Sequence, residues 1–392
     1  MLPLLYGNIY LFAQVAQLVE QRTENPRVGG SNPPLGTIRE RLMLKKIFLL
    51  LTISIICVSC ESPTTITSRG LDSDNEKEKA IMQGIALETY YKRVEKLNNI
   101  AWPILSSSLD FCKKDITNSI GIEVISLNEI DKNYKNAASE KIGLTSEPQI
   151  LYVIKSSPAD ISGLKKKDKI IEISSSEYSW DGEDIVKNTR KRIFGENKVK
   201  VKVERDNEIQ VFEVNPVQIC NHRIILRQDN SLNAFADGKN IYITQGMLRF
   251  IEEDKELQMV IAHELAHNIE GHIEKKTNNY LLGTIVDLAA AGAGVNTRGT
   301  FGSLGAQMYS QDFEREADYV GMYILANSGI EREGVANFWR RMSVENPRSI
   351  SYASTHPSSS ERWVNIEAVN KEIDKKILKS ESLLPERIQN EN

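Results

Sequence analysis

The apolar residues Leu257, Val260, Ile261 and Leu265 recur at three- and four-residue steps, the stripe of an amphipathic helix. Asp254 stands where an N-cap belongs, acids occupy the first turn, and lysines end the run at Lys275 and Lys276. Just upstream, Asn233 to Leu248 reads as a β-hairpin. A second helical pattern, from about Ala80 to Cys112, places Ile81, Ile85, Leu87, Tyr91, Val94 and Leu97 near one side. Between 117 and about 216 the period changes to two. Gln149 to Ile154 is a strand, and Ser156 to Ile173 a short helix, turn and strand. Asp184 to Phe194 is a helix, and Lys198 to Val214 a hairpin turning at Asp206-Asn207. The expected class is therefore α+β: a β-rich domain over 117–216, then a mainly helical domain over 220–380 with a small hairpin or sheet. Leu281 to Val295 is apolar but short, interrupted by Asp287 and rich in glycine. It reads as a buried or loosely ordered helix, with a membrane surface as the alternative setting.

The N-terminus changes this picture most. Met43 to Cys60 opens with Lys45 and Lys46 and continues as an apolar run from Ile47 to Val58, too short to span a bilayer. It suits a secretory signal, and its small residues before a cysteine resemble a bacterial lipoprotein signal. That resemblance implies removal of 43–59 and lipidation of Cys60; a short uncleaved anchor is the alternative. Glu61 after the cysteine leans toward the outer membrane by the same resemblance. Residues 1–42, where Val15 to Thr37 looks like a translated tRNA gene, are set aside as spurious upstream translation. Residues 60–79 are polar and read as a tether. With Cys57 in the signal and Cys60 lipidated, Cys112 and Cys220 remain, either as a disulfide or as two buried thiols. The net charge of -4, without a basic groove, gives no reason to expect nucleic acid.

The run SPADISGLKKKDKI, starting at Ser157, resembles bacterial PDZ domains, with two departures. Lys167 stands where glycine usually precedes Asp168, at a turn expected to need φ > 0. The nearest candidate for a carboxylate-binding loop is SIGIEV, Ser119 to Val124. The module either binds peptide tails or only spaces and limits access to the rest of the chain.

Three of the five histidines lie between Ala262 and His272. On a helix His263 and His267 are about 40° apart, close enough to share one ion, while Glu264 is turned toward a water molecule rather than the metal. Two imidazoles that ligate beside a carboxylate that takes a proton is the chemistry of a zinc peptidase. If the helix continues past Gly271, His272 lies about 140° from His267, cannot reach the same ion, and is a polar or packing residue near the helix end. The third ligand then comes from elsewhere. Glu314 and Asp318 are four residues apart and share a helical face, with Glu316 pointing away. Glu314 is the expected third ligand, and Asp318 the acceptor of a ligand histidine's ring N–H.

HExxH, then ExxxD, then THPSSSER (Thr355 to Arg362) resembles the gluzincin family of CAAX prenyl endopeptidases, heat-shock membrane proteases and periplasmic quality-control metallopeptidases, over about residues 220–368. The resemblance implies one zinc ion per chain, Glu264 as general base and then acid, and unfolded or misassembled envelope polypeptides as substrates. It implies an enzyme lipid-anchored in the bacterial envelope and facing the periplasm, with extended substrate pairing along the Asn233–Gln245 hairpin. It also places His356, which precedes Pro357 at a helix start, near the active site. Three roles stay open for it: a fourth ligand that keeps the enzyme latent, a donor to the oxyanion, or a surface loop residue. The rival reading is a chaperone-like or scaffolding protein with a latent or structural zinc site, against which Glu264 counts.

Overall fold

The computed structural model describes residues 72–113, 115–307, 310–345 and 360–387. The signal segment, Cys60 and His356 lie outside the described residues. Helix α1 (Asp72–Ser107) begins inside the stretch read as a tether. Contact with the core begins at Leu87 and deepens toward the C-terminal end, where Leu97, Ile100, Ala101, Ile104 and Leu105 repeat at helical spacing and are buried. Ile81, Met82 and Ile85 remain exposed.

The chain then makes an excursion into a β-rich module. Strand β1 (Ile116–Ser119) leads into it, followed by β2 (Ile122–Ile125), β3 (Gln149–Val153), β4 (Lys169–Ser174), β5 (Ser179–Trp180), β6 (Val199–Arg205) and β7 (Glu208–Val214). Strand β8 (Val217–Cys220) leads out. The sheet runs β2-β3-β4-β6-β7 with β5 beside β4, all antiparallel. Helix α2 (Gly182–Lys191) packs on it. The alternating valines Val199, Val201 and Val203 point into a separate core with Ile150, Ile173 and Trp180. The β6–β7 turn carries Asp206 and Asn207 at φ 53° and 65°, the conformation a two-residue hairpin needs. Lys167 does adopt a left-handed backbone, φ 74°, in place of the expected glycine. The next residue, buried Asp168, accepts the Lys165 N–H at 2.8 Å and binds Arg205 at 2.6 and 2.7 Å.

At the neck of the module β1 pairs with β8, Ile116 opposite Cys220. Cys112 and Cys220 form a disulfide there, which decides between the two alternatives the sequence left open. The module's two ends are therefore held together twice, by a strand ladder and by a covalent bond.

Strand β9 (Arg223–Arg227) then pairs in parallel with β11 (Asn240–Thr244), which forms a hairpin with β10 (Ala234–Ala236). The order β10-β11-β9 leaves β10 at an edge. Among the described residues seven helices follow: α3 (Gln245–Phe250), α4 (Asp254–Ile269), α5 (His272–Gly292), α6 (Thr300–Gln307), α7 (Ser310–Asn327), α8 (Asn337–Glu345) and α9 (Ser360–Leu378). The cap of α4 is Glu253 rather than Asp254, in a reciprocal capping box with Glu256. Helices α4 and α7 lie against each other, with Gly321 at the contact. A Cβ there would stand 3.2 Å from the backbone N of His263. Helix α9 is tied to α7 by Glu372, which accepts from the Tyr319 and Tyr323 hydroxyls at 2.8 and 2.5 Å. Of the settings weighed for the apolar stretch, burial does not hold: its large side chains are exposed, in a hairpin of α5 and α6 that packs chiefly on itself. No described helix is long and apolar enough to cross a membrane.

Candidate metal centre

Helix α4 presents His263 and His267 one turn apart, as their spacing predicts, and α7 brings Glu314 opposite them. The Nε2 atoms of the two histidines are 3.1 Å apart. Each lies 3.4 Å from an oxygen of Glu314. Bonds of about 2.0–2.1 Å to a tetrahedral zinc ion would separate its ligand atoms by about 3.3 Å. The three side chains therefore fit zinc, and all three are buried.

The remaining ring nitrogens explain why both Nε2 atoms face inward. His263 Nδ1 lies 2.9 Å from Asp318 Oδ1, and an ionised carboxylate can only accept, so that nitrogen carries the proton and Nε2 keeps its lone pair. Burial opposes the charge of Asp318, but Arg362 and His263 outweigh it and hold the carboxyl below its usual range. Arg362, from α9, donates to both Asp318 oxygens at 2.7 Å and lies over the Trp339 ring at 3.4 Å.

His267 is oriented by a different device. Gly271, at φ 66°, ends α4 and turns the chain before α5 begins at His272. The turn swings His272 back, so its Nδ1 lies 2.8 Å from His267 Nδ1 and its Nε2 lies 2.9 Å from Glu316 Oε2. A proton on His272 Nε2 leaves its Nδ1 to accept from His267, whose Nε2 then carries the lone pair turned toward His263 and Glu314. The expectation of a helix continuing through Gly271, with His272 turned about 140° away from His267, is thus corrected. Glu316 does point away from the metal group, as expected, but it does so to hold His272, and that contact lowers its pKa. His272, Glu316 and Arg362 are the site residues that sequence reasoning missed. Only the glycine at 271, a helix-ending signal, offered a hint for the first.

Burial pushes His267 down to about 4, which keeps its ring neutral for ligation. His263 is drawn the other way: burial and Arg362 oppose its proton, but Asp318 and Glu314 prevail and raise it to about 9, so a metal ion would have to displace the Nε2 proton while Asp318 keeps the one on Nδ1.

Glu264 is buried and lines a cleft of about 310 Å³ together with His267, Ile273, Lys276, Asn233 and the β10 residues Phe235 and Ala236. The hairpin beside this cleft is latched to α4. Asn268 Oδ1 accepts the Gly238 N–H at 2.7 Å, and Asn268 Nδ2 donates to the Asn240 carbonyl at 3.2 Å.

Comparison with known proteins matches residues 197–370 to the profile described as Peptidase family M48. The chain is 30% identical over 148 residues to the mitochondrial metalloendopeptidase OMA1 of Schizosaccharomyces pombe, covering 36% of this chain and 44% of that protein. It is 30% identical over 158 residues to the metalloprotease LoiP of Escherichia coli, covering 38% and 62%. With the beta-barrel assembly-enhancing protease of Yersinia pestis it shares 28% over 149 residues, covering 34% and 30%. The chain therefore spans less than two thirds of the length of each of these relatives. The segment that matches the family M48 profile, 197–370, is the one that holds the three convergent side chains His263, His267 and Glu314 and the carboxylate of Glu264 beside them.

Proposed function

We propose that the protein is a zinc-dependent endopeptidase of the bacterial envelope. The observation that carries this reading is the convergence of His263, His267 and Glu314 next to Glu264, on a cleft bounded by an edge strand. The three side chains would hold the ion, which supplies Lewis acidity toward a scissile carbonyl. Glu264 takes the proton of the attacking water on its carboxylate and returns it to the departing amine. Asp318 and His272 fix the tautomers of the ligand histidines, and Arg362 holds Asp318. An extended polypeptide adds to the free edge of β10, which sets its backbone along the cleft.

The substrates we propose are unfolded or misassembled envelope polypeptides. The names of the bacterial relatives and the signal-like segment 43–59 support this, and so does an edge strand, which recognises backbone rather than sequence. Lipidated Cys60 would hold the chain at the membrane facing the periplasm, with the outer membrane favoured. The module over 117–216 is PDZ-like in this reading. His356 is assigned to the mouth of the site, as an inhibitory fourth ligand or an oxyanion donor. Cleavage of an unfolded model protein tests the proposal. Glu264→Gln should retain zinc and fold yet lose at least about 10²-fold in rate, because an amide cannot accept the proton. Equal cleavage by both forms, or by neither, would count against it.

A further inference from the structure

We propose that the α5–α6 hairpin is a docking face for a lipid bilayer surface. The two helices meet through glycines. A Cβ at Gly283 would collide with the Phe301 carbonyl, one at Gly305 with the Asn279 carbonyl, and one at Gly302 with Thr284 and Tyr280. That close packing turns the large apolar side chains outward. Leu281, Leu282, Ile285, Val286 and Leu288 fall within an arc of about 160° of α5, opposite the face that meets α6. They are between 47% and 68% exposed. Phe301 and Leu304 extend the apolar surface onto α6. Monomeric soluble proteins rarely leave a contiguous surface of this kind to water.

Charge identifies the occupant. Of residues 277–307, only Asp287 and Arg298 are ionisable at neutral pH. Asp287 is buried and turned into the helix–helix contact. There its carboxylate accepts from the Thr297 hydroxyl and from the N–H groups of Phe301 and Gly302, at 3.3 and 2.8 Å for the latter two. Its charge is thus satisfied internally, where a carboxylate exposed to hydrocarbon would be costly. Arg298 stands in the loop between the helices, at the end of the apolar face, where a long cation can reach headgroups. A face whose one acid is satisfied within the hairpin, and whose outward side chains are apolar, offers a protein partner little to pair with and suits lipid better. Helix α5 also lines the catalytic cleft through Ile273 and Lys276, so docking would bring the cleft to the membrane surface. The inference rests on the hairpin alone and needs neither hydrolysis nor the lipid on Cys60.

Tryptophan placed singly at Leu282, Leu288 or, as a control on β7, Ile209 reports the contact. Each full-length variant is mixed with vesicles of phosphatidylethanolamine and phosphatidylglycerol carrying brominated acyl chains. Insertion of about 5–10 Å should quench positions 282 and 288 by about half and leave position 209 unchanged. Adding Ile285→Asp to the Leu282→Trp form should abolish that quenching while circular dichroism remains that of the parent. Equal quenching at all three sites overturns the proposal. So does a dimer, seen by sedimentation without lipid, that Ile285→Asp dissociates, since the face would then belong to a second copy. Quenching is read without any cleavage, so its failure is separate from failure of the peptidase reading.

Discussion

At His267 the metal-facing nitrogen is set by what the other nitrogen touches. His272 Nδ1, 2.8 Å away, is in turn held by Glu316, so one imidazole serves as the outer partner of another. Removing such a partner leaves the ligand in place but lets it rotate and change tautomer. His272→Ala should therefore bind zinc about 10–100-fold more weakly, as measured by competition with a chelator. Glu316→Ala should follow it in the same direction. Glu314→Ala, which removes a ligand, should bind no stoichiometric zinc under the same conditions. Zinc content lost from Glu316→Ala but kept by Glu314→Ala would reverse the assignment of the two acids.

Among the elements, the β10–β11 hairpin decides how the cleft is walled, and its turn is organised by one carboxylate. Asp237 accepts the N–H groups of Lys239 and Asn240 at 2.9 and 2.6 Å and the Tyr242 hydroxyl at 3.0 Å. Partial burial opposes its charge, but these donors prevail and bring its pKa down to about 2 from an ordinary 3.8. A depressed carboxylate stabilises the fold above its unfolded pKa and loses that effect as pH falls through the folded one. The melting temperature of the wild type should thus fall between about pH 4 and pH 2 by more than that of Asp237→Asn. At neutral pH the variant should melt lower. Parallel curves for the two proteins across that window would exclude this role. Gly271 and Gly321 act at the same scale, one ending α4 where His272 must turn back, the other letting α7 approach His263.

For the molecule as a whole, the disulfide and the β1–β8 ladder close the neck of the inserted module. The bridged residues are 108 apart in sequence, so the bond removes a large share of the unfolded chain's freedom. On the chain-entropy account, replacing both Cys112 and Cys220 by alanine should cost about 2–5 kcal/mol. The wild type in reductant should melt like the double variant. If it melts like the oxidised protein, the bond contributes nothing to stability.

The amino-acid sequence by itself determined the local patterns. The helix carrying His263, Glu264 and His267, the pair Glu314 and Asp318 on one face of α7, and the Asp206-Asn207 turn all follow from periodicity within a few residues. Tertiary structure decided whatever depends on chain direction after a break or on distant partners. The positive φ of Gly271 reset the axis before His272, so extrapolating one helix through it misplaced that side chain. Arg362 reaches Asp318 from 44 residues away because Glu372 and two tyrosines hold α9 against α7. The apolar run of α5 and α6 carried the same composition a buried helix would have. Glycine-mediated pairing, which occupies one face of each helix and satisfies Asp287 within it, is what leaves the apolar side outward.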